Sequence, residues 1–401
     1  MIKHFKAIQV NDYIYWVGAV DGSIRDFHGY LTNRGTSYNA YLVLADRITL
    51  IDTVKAPFRD EMLSRISSVI DPGDISYLIS NHSEMDHSGC LPDIIDAVNP
   101  DKVFASKMGV KALTGHFHLD RELTAVGDGE TISLGNRDVS FVETRMLHWP
   151  DSMFSYLPGD GVLFSNDAFG MHLASSARFA DDIDESILRE EGEKYFANIL
   201  LPYANLILKL LDRVRDLELD IKMIAPDHGP IWRTKADIEK VLNRYASWAA
   251  QKRSSKVLIV FDTMWGSTEK MARVIAEGII QSGKEARLMS LRSFHRSEIA
   301  REILDCGALV VGSPTLNNNL FPTVADTMTY LKGLRPQNLI GAAFGSYGWS
   351  GEAVRQLQAQ LAEMGIELVG DGITTKYVPD EAALENCFEL GTQLAQQLDT
   401  R

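Results

Sequence analysis

The segment Ile79-Ser80-Asn81-His82-Ser83-Glu84-Met85-Asp86-His87-Ser88-Gly89 indicates both the fold and the chemistry of the first part of this chain. An apolar run that predicts a strand precedes it, and a helical pattern follows it. Four residues that bind metals therefore share one strand-to-helix loop, namely His82, Glu84, Asp86 and His87. A single His or Asp in such a loop is usually a turn or capping residue. Four of them in so short a stretch favour a metal site.

Three further metal-binding residues follow predicted strands in the same way. They are His148 after strand 139–143, Asp167 after strand 162–165, and His228 after strand 221–225. Together the set holds imidazoles and carboxylates enough for two metal ions if one carboxylate bridges them. Hard oxygen ligands such as these carboxylates suit iron better than the softer ligand sets that select copper, and zinc has no redox chemistry.

The remaining sequence alternates regularly between strands and helices. The predicted strands are 257–262, 286–290, 308–312, 339–344 and 366–369, and a helix follows each of them. This alternation predicts a doubly wound parallel sheet, with ligands at the carboxyl ends of its strands. The polar segment 251–256 is typical of a linker. We therefore expect two α/β domains, residues 1–251 and residues 256–401.

Three loops at the carboxyl ends of these later strands carry hydroxyl, amide, glycine and aromatic residues. They are Thr263-Met264-Trp265-Gly266-Ser267-Thr268, Ser313-Pro314-Thr315-Leu316-Asn317-Asn318 and Ser346-Tyr347-Gly348-Trp349-Ser350-Gly351. The first loop places hydroxyls and backbone N–H groups at a helix start, which suits a phosphate. It is neither a nucleotide P-loop nor a dinucleotide fingerprint. With amides for a flavin edge and aromatic rings for its faces, the three loops together predict a site for flavin mononucleotide (FMN).

Composition argues against several classes of function. The chain has 40 Lys+Arg against 54 Asp+Glu, a net charge of −14, which argues against nucleic acid and anionic membranes as partners. It has no run of about 18 apolar residues, and its first residues lack the apolar core of a signal peptide. Its three cysteines form no C-x-x-C pair and so predict neither disulfides nor a cysteine metal site. We expect a cytoplasmic protein.

The ligand pattern resembles that of the metallo-β-lactamase family, in which H-x-H-x-D-H is followed by a later His, Asp and His. Glu84 here stands in place of the second His. The later loops resemble those of the flavodoxin family. The two together resemble the flavodiiron proteins over essentially the whole chain. This resemblance implies a metallo-β-lactamase-like αββα sandwich followed by a flavodoxin-like five-stranded parallel sheet.

The same resemblance implies roles for individual residues. One iron would be bound by His82, Glu84 and His148. The other would be bound by Asp86, His87 and His228, with Asp167 bridging the two irons. Whether His87 binds iron stays open, because some relatives place water there. By resemblance, His28 and Tyr195 would orient or protonate bound oxygen species, and His172 is either a third such residue or a structural histidine.

The implied reaction is reduction of dioxygen to water, of nitric oxide to nitrous oxide, or of both, at a non-haem di-iron site. The electrons would pass through FMN from a separate rubredoxin-type donor, because the sequence has no C-x-x-C pair of its own. That donor would need an NAD(P)H-dependent reductase. The resemblance also implies a head-to-tail homodimer, or a dimer of such dimers, in which the FMN of one subunit serves the irons of the other.

Two other functions remain to be weighed against this one. A dinuclear zinc hydrolase uses the same first-domain fold and activates water, but Glu84 and the flavodoxin-like domain count against it. A non-catalytic electron carrier or flavin sensor would keep the first domain only as a scaffold. The complete set of metal-binding residues counts against that second alternative.

Overall fold

The computed structural model describes residues 4–399, which form two compact units. The first unit contains most of the chain up to Ala246. The second contains the chain from Ser247 onward together with Gly29–Leu31 and Phe196–Ala204. The predicted domain limits at residues 1 and 401 lie outside the described residues, and the division at 251–256 stays a prediction. No helix between residues 4 and 399 is long and apolar enough to cross a membrane.

The amino-terminal half is built from short strands and helices. Its strands are β1 (Ile8–Gln9), β2 (Ile14–Trp16), β3 (Ala19–Asp21), β4 (Asp26–Phe27), β5 (Tyr30–Leu31), β6 (Thr36–Tyr38), β7 (Tyr41–Val43), β8 (Thr49–Ile51), β9 (Tyr77–Ser80), β10 (Lys102–Ser106), β11 (Thr124–Val126), β12 (Thr131–Ser133), β13 (Asp138–Glu143), β14 (Met153–Leu157), β15 (Val162–Phe164) and β16 (Met223–Ala225). Its helices are α1 (Arg59–Ile66), α2 (Met85–Ser88), α3 (Leu91–Val98), α4 (Lys107–Phe117), α5 (Glu185–Tyr195), α6 (Ala204–Asp216) and α7 (Lys235–Ala250).

Two sheets form the centre of the first unit. One has the order β1-β2-β7-β8-β9-β10-β11, and the other has the order β12-β13-β14-β15-β16. Alternate side chains of a strand point to opposite faces, so Ile79 of β9 packs between the sheets against residues such as Phe141, while Leu78 packs on the outer side with Ile94 of α3. On the outer side of the second sheet, Phe154 contacts Phe169, which contacts Tyr245 of α7. The layers therefore run helix, sheet, sheet, helix.

The sequence shows helical patterns over residues 185–218, and in the structure these patterns form two helices separated by irregular turns. Helix α5 ends at Tyr195, a π-helical turn covers Phe196–Leu200, and a 3-10 turn covers Leu201–Tyr203 before α6 begins. Pro202 has no backbone N–H and cannot continue the hydrogen-bond ladder of a helix. The helical patterns of this region therefore belong to two separate helices, α5 and α6.

The carboxyl-terminal half alternates strand and helix. Its strands are β17 (Lys256–Phe261), β18 (Glu285–Ser290), β19 (Ala308–Gly312), β20 (Thr315–Leu316), β21 (Asn319–Leu320), β22 (Ile340–Tyr347), β23 (Glu367–Leu368) and β24 (Ile373–Lys376). Its helices are α8 (Ser267–Gln281), α9 (Arg296–Ile303), α10 (Pro322–Leu334), α11 (Glu352–Glu363) and α12 (Glu381–Asp399).

The main sheet of the second unit has the order β18-β17-β19-β22-β23, and all its pairs are parallel. This is the strand order of the flavodoxin-like doubly wound fold. Strand β24, which the sequence analysis did not predict, pairs with the second half of β22, whereas β23 pairs with its first half. The fifth position of the sheet is therefore shared by two short strands.

Candidate functional site

The loop after β9 is held in place by a buried carboxylate. Asp52 accepts hydrogen bonds from the backbone N–H of Asn81 at 2.6 Å and from its side-chain amide at 2.7 Å. Asn81 in turn accepts a hydrogen bond from Ser155 of β14 at 2.6 Å. These bonds tie the loop to a strand of each sheet, so the side chains that follow Asn81 start from a fixed backbone.

Four of the predicted metal-binding residues form what we call the first ligand group, namely His82, Glu84, His148 and Asp167. One nitrogen or oxygen atom from each lies within 4.8 Å of the others. Atom Nε2 of His148 lies 3.1 Å from Glu84 Oε2 and 3.2 Å from Asp167 Oδ2. Atom Nε2 of His82 lies 3.3 Å from that same oxygen of Asp167.

The other three form the second ligand group, namely Asp86, His87 and His228, and their ligand atoms also lie within 4.8 Å of one another. Atom Nε2 of His228 lies 3.2 Å from Asp86 Oδ2. Both His87 and His228 place Nε2 at 3.3 Å from Oδ1 of Asp167. Asp167 therefore presents one oxygen to each group, which is the arrangement that a bridging carboxylate requires.

The chemistry of these donors fits two cations. The Nε2 atoms of the four histidines face carboxylate oxygens. Both oxygens of Asp86 are buried without a hydrogen-bond partner among the described residues. Buried carboxylates without partners cost several kcal/mol unless a positive charge compensates them. Imidazole and carboxylate donors in this ratio suit iron as well as zinc.

In the protein without metal, protons take the place of these cations. Burial by itself lowers the pKa of His148, but its hydrogen bonds to Asp167 and Glu84 outweigh burial and raise the pKa to about 8. Burial is likewise outweighed at His87, where the charges of Asp86 and Asp167 raise the pKa to about 10. Burial would raise the pKa of Asp167, yet the neighbouring histidines, His87 foremost, hold it well below its usual range.

The three residues predicted to orient or protonate bound oxygen species differ in how they contact the ligand groups. Tyr195 is buried and donates a hydrogen bond to Asp167 Oδ1 at 3.0 Å. His28 is largely exposed, and its Nε2 lies 3.4 Å from Glu84 Oε1. His172 lies behind His228, with ring centroids 4.6 Å apart, and Thr36 Oγ1 lies 2.9 Å from its Nδ1. Burial and the neighbouring His228 hold the pKa of His172 well below its usual range.

A cavity of about 600 Å³ opens onto both ligand groups. Its lining includes Phe27, His28, Lys55, Glu84, Asp86 and Trp149. The ring of Trp149 stands edge-on to that of His82 at a centroid distance of 5.4 Å. The ligand groups are therefore reachable by a small molecule from one side.

A cleft of about 320 Å³ lies in the second unit, and we call it the second-unit cleft. It is lined by members of all three predicted loops, namely Met264, Trp265, Ser267, Pro314, Thr315, Leu316, Asn317, Asn318, Ser346, Tyr347, Gly348, Trp349 and Ser350. Its size suits a ligand with several rings. Trp265 is 95% exposed and Trp349 is 85% exposed, so two indole rings have free faces at its rim.

The other predicted loop residues do not line the cleft, namely Thr263, Gly266, Thr268, Ser313 and Gly351. Some of them shape the loops instead. Thr263 Oγ1 accepts the backbone N–H of Gly266 at 3.0 Å, and Gly266 has a φ of 89°, which a residue with a side chain rarely adopts. Thr268 and Ser346 share a hydrogen bond of 3.0 Å between their hydroxyls.

Local sequence explains the shape of the second loop. Strands β20 and β21 pair as a hairpin, and Asn317 and Asn318 between them have φ values of 50° and 62°. Positive φ at both central residues defines the tight turn that Asn and Gly favour. The loop is therefore a tight hairpin whose tip lies at the cleft.

Tyr377 also lines the cleft and was missed by the sequence analysis. It follows β24, where Ile373 and two threonines form a β-branched run that would have predicted a strand. A strand assigned there places Tyr377 at the carboxyl end of the sheet, beside the three predicted loops.

Comparisons with known proteins agree with both units. An ODP family beta lactamase model matches residues 36–229, and a flavodoxin model matches residues 259–391. The chain is 44% identical over 395 residues to a nitric oxide reductase of Moorella thermoacetica, which covers 98% of each protein.

Two solved structures are similar over their whole length. The rubredoxin oxygen:oxidoreductase from Desulfovibrio gigas has a TM-score of 0.97 at 46% identity, covering 98% of this chain and 99% of that one. The flavodiiron protein from Giardia intestinalis has a TM-score of 0.95 at 34% identity, covering 100% of this chain and 98% of that one. These matches confirm the predicted fold class and the predicted resemblance. The chain therefore belongs to the flavodiiron protein family.

Proposed function

We infer that this protein is an oxidoreductase that reduces dioxygen, nitric oxide or both at a di-iron centre, with electrons delivered through FMN. The observation that carries this inference is the position of Asp167. Its two oxygens lie 3.2–3.3 Å from histidine Nε2 atoms of two separate ligand groups. The names of the relatives, a nitric oxide reductase and an oxygen oxidoreductase, support both substrates.

We propose that the first ligand group holds one iron, that the second holds the other, and that Asp167 bridges them. His87 is included as a ligand because its Nε2, like that of His228, faces Asp167 Oδ1. When bound, iron supplies reversible one-electron chemistry that zinc lacks, and FMN stores electrons and passes them on. Glu84 keeps one ligand position anionic where a zinc hydrolase of this fold has a neutral histidine.

The residues around the ligand groups would manage protons, which both reductions consume. His28 lines the open cavity and is largely exposed, so its Nε2 can take up a proton from solvent and hold it beside Glu84 Oε1. Burial, and after it the charge of Asp167, raises the pKa of Tyr195 well above its usual value. Tyr195 therefore stays protonated and keeps donating to Asp167 Oδ1. His172 has no such access and acts through packing on His228.

We propose that the second-unit cleft binds FMN. Hydroxyls and backbone N–H groups of residues 263–268, at the start of α8, would hold the phosphate. The hairpin of residues 315–320 and the loop of residues 346–351 would border the ring system, with Trp265 or Trp349 covering a face.

The electron source and the assembly are also proposals. We propose a rubredoxin-type electron donor, which the name of the Desulfovibrio gigas relative supports. We also propose an NAD(P)H-dependent reductase that supplies this donor with electrons. A head-to-tail dimer, or a dimer of dimers, is supported by exposed apolar side chains at both sites. Trp265, Trp349 and Tyr377 surround the second-unit cleft, and Met85 lies beside the ligand groups. The three buried free cysteines support a cytoplasmic location.

The test is anaerobic purification followed by measurement of iron, zinc and FMN per chain. The reduced protein is then mixed with dioxygen or with nitric oxide, and the reoxidation of the flavin is followed by its absorbance. We expect two irons and one FMN per chain, with reoxidation by at least one gas. A protein that holds zinc alone, binds no flavin and hydrolyses a thioester or lactam would establish the zinc hydrolase instead. Light scattering of the same sample measures the assembly.

A further inference from the structure

The loop after β13 places two side chains near the ligand groups. They are His148 and, three residues later, Asp151. Asp151 is buried, and its Oδ2 lies 3.2 Å from Nδ1 of His82. Nε2 of that same imidazole faces the first ligand group, 3.3 Å from Glu84 Oε2. Asp151 therefore contacts His82 on the side of the ring opposite to the metal position.

The position of this carboxylate decides which nitrogen of His82 carries the proton. A carboxylate only accepts hydrogen bonds, so the imidazole must donate its Nδ1–H to Asp151. The lone pair of Nε2 is then free to bind a metal. A carboxylate behind a metal-binding histidine fixes the ring orientation and makes the imidazole a stronger donor.

Asp151 also fixes the backbone between two ligands. The same Oδ2 accepts the N–H of Ser83 at 2.6 Å, and Ser83 lies between His82 and Glu84. Asp151 itself is anchored, because its carbonyl oxygen accepts a hydrogen bond from Ser106 at 2.7 Å. Ser106 caps α4 through the N–H of Gly109 at 3.0 Å. Ser106, at the start of α4, therefore anchors Asp151, and Asp151 anchors the loop that carries His82 and Glu84.

The second ligand group is supported differently. Nδ1 of His228 lies 2.6 Å from the carbonyl oxygen of Ser37, a neutral partner. Nδ1 of His87 lies 3.6 Å from Asp227, which is beyond hydrogen-bond distance. Asp151 therefore hydrogen-bonds the far side of a ligand imidazole in the first ligand group, and the hydrogen-bond partners of its carboxylate, His82 and Ser83, both lie at that group.

We propose that Asp151 is a positioning residue for the first iron alone, acting on the orientation of His82 and on the backbone that leads to Glu84. This inference rests on the proposed di-iron function. It predicts that loss of Asp151 weakens one of the two iron positions by about 10- to 100-fold, the usual effect of removing such a partner, and leaves the other unchanged.

The experiment compares Asp151→Ala and Asp151→Asn with the unchanged protein, each with its FMN. Asp151→Asn keeps an acceptor for Ser83 and His82 without the charge, so it serves if the alanine variant folds poorly. Asp160→Asn is the matched control, because Asp160 pairs with Arg137 and lies in the turn between β14 and β15. Iron per FMN is measured during titration with a chelator, and the two irons are distinguished by Mössbauer spectroscopy.

We expect iron in Asp151→Ala to fall from two per FMN toward one, with one Mössbauer doublet lost and the other unchanged. Asp151→Asn should lie between this variant and the unchanged protein, and Asp160→Asn should match the unchanged protein. Equal loss of both irons, or two unchanged doublets, would overturn the positioning role. An unchanged protein that binds no iron would overturn the proposed function instead, so the two failures are distinguishable.

Discussion

The hydroxyl of Tyr195 donates a hydrogen bond of 3.0 Å to Oδ1 of Asp167, and both residues are buried. The same oxygen faces the two histidines of the second ligand group. A donor on this oxygen withdraws part of the negative charge that the carboxylate would otherwise offer to a metal. Tyr195 is therefore placed to adjust the electron affinity of the second iron without binding it.

Tyr195→Phe should keep iron and FMN but lower the reduction potential of the iron centre. Without the hydroxyl, Asp167 carries more charge and favours the ferric state. The variant should also lose about 2 kcal/mol of unfolding free energy, as expected for a hydrogen bond to a charged group. A redox titration followed by electron paramagnetic resonance measures the first effect, and urea unfolding measures the second.

Tyr245→Phe is the matched control for this variant. Its hydroxyl is also buried, but it accepts a hydrogen bond from the backbone of Phe169. Tyr245→Phe should lower the free energy of unfolding without changing the reduction potential of the iron centre. Equal changes of potential in both variants would mean that the effect of Tyr195 is structural.

Asp167→Ala should lose both irons and all activity while it retains FMN. One oxygen of Asp167 faces each ligand group, and the residue lies in the first unit, whereas the second-unit cleft is lined by residues of the second unit. Metal analysis and flavin absorbance on one sample measure both contents. Asp220→Ala, at an exposed position, is the control and should retain iron, FMN and activity. Loss of flavin in step with iron would contradict separate sites.

A fragment of residues 256–401 should fold and bind FMN, but with reduced stability. In the full chain the second unit includes residues 196–204, where Asn198 donates to the carbonyl of Ser297 at 3.1 Å and accepts from Tyr330 at 2.7 Å. Loss of two such bonds costs about 2 kcal/mol. Urea unfolding and FMN titration of the fragment measure both properties. A fragment that is insoluble or free of flavin would contradict the predicted domain boundary.

Asn198→Ala in the full chain tests the same contacts without truncation. It should destabilise the second unit by a similar amount and leave iron content unchanged. A larger loss in the fragment than in this variant would indicate that Gly29–Leu31 contributes too, through the bond from the backbone N–H of Leu31 to Ser297.

Arg292→Gln should weaken FMN about tenfold and leave riboflavin binding unchanged. Arg292 donates to Asp262 Oδ1 at 3.2 Å and to the carbonyl oxygen of Thr263, and these bonds hold the loop that leads to the proposed phosphate position. Riboflavin has no phosphate, so its affinity should be the same in the variant and in the unchanged protein. Fluorescence titration with both flavins measures the difference, with Arg273→Gln on α8 as a control of equal charge. Equal weakening of both flavins would argue against this explanation.

The metal-free protein should lose stability as the pH rises above about 6.5. The folded protein raises the pKa of His148 from 6.5 to about 8 and that of His87 to about 10. Raised histidine pKa values contribute stability that is complete below 6.5 and is lost as the pH passes the folded values. The shift of His148 corresponds to about 2 kcal/mol. Thermal unfolding between pH 6 and pH 10 measures this loss.

Bound iron should reverse this loss of stability with rising pH, because iron takes the place of the protons on the ligand histidines. Over the same range, iron in the loaded protein should become harder to extract with a chelator as the pH rises. At acidic pH, Glu84 has the opposite effect. Hydrogen bonds from His148 and His82 overcome burial and lower the pKa of Glu84 from 4.5 to about 2. The stability that Glu84 contributes is therefore present above pH 4.5 and is lost as the pH falls toward 2. A metal-free protein that gains stability between pH 6.5 and pH 8 would contradict this account.

Much of the site could be predicted from the sequence because its signals are local. His82, Glu84, Asp86 and His87 share one loop, so their closeness follows from chain order, although they divide between the two ligand groups. The same holds for the Asn317–Asn318 turn, whose residues tolerate positive φ. Tyr377 was missed, although the β-branched run of residues 373–375 before it would have predicted a strand.

The sequence by itself determined the types of ligand, their order along the chain and the two fold classes, because residue chemistry and hydrophobic periodicity are local properties. Only the tertiary structure decided that Asp167 faces both ligand groups and that Asp151 lies behind His82. Those relations depend on the register and the packing of strands from two different sheets, which distant parts of the chain fix together.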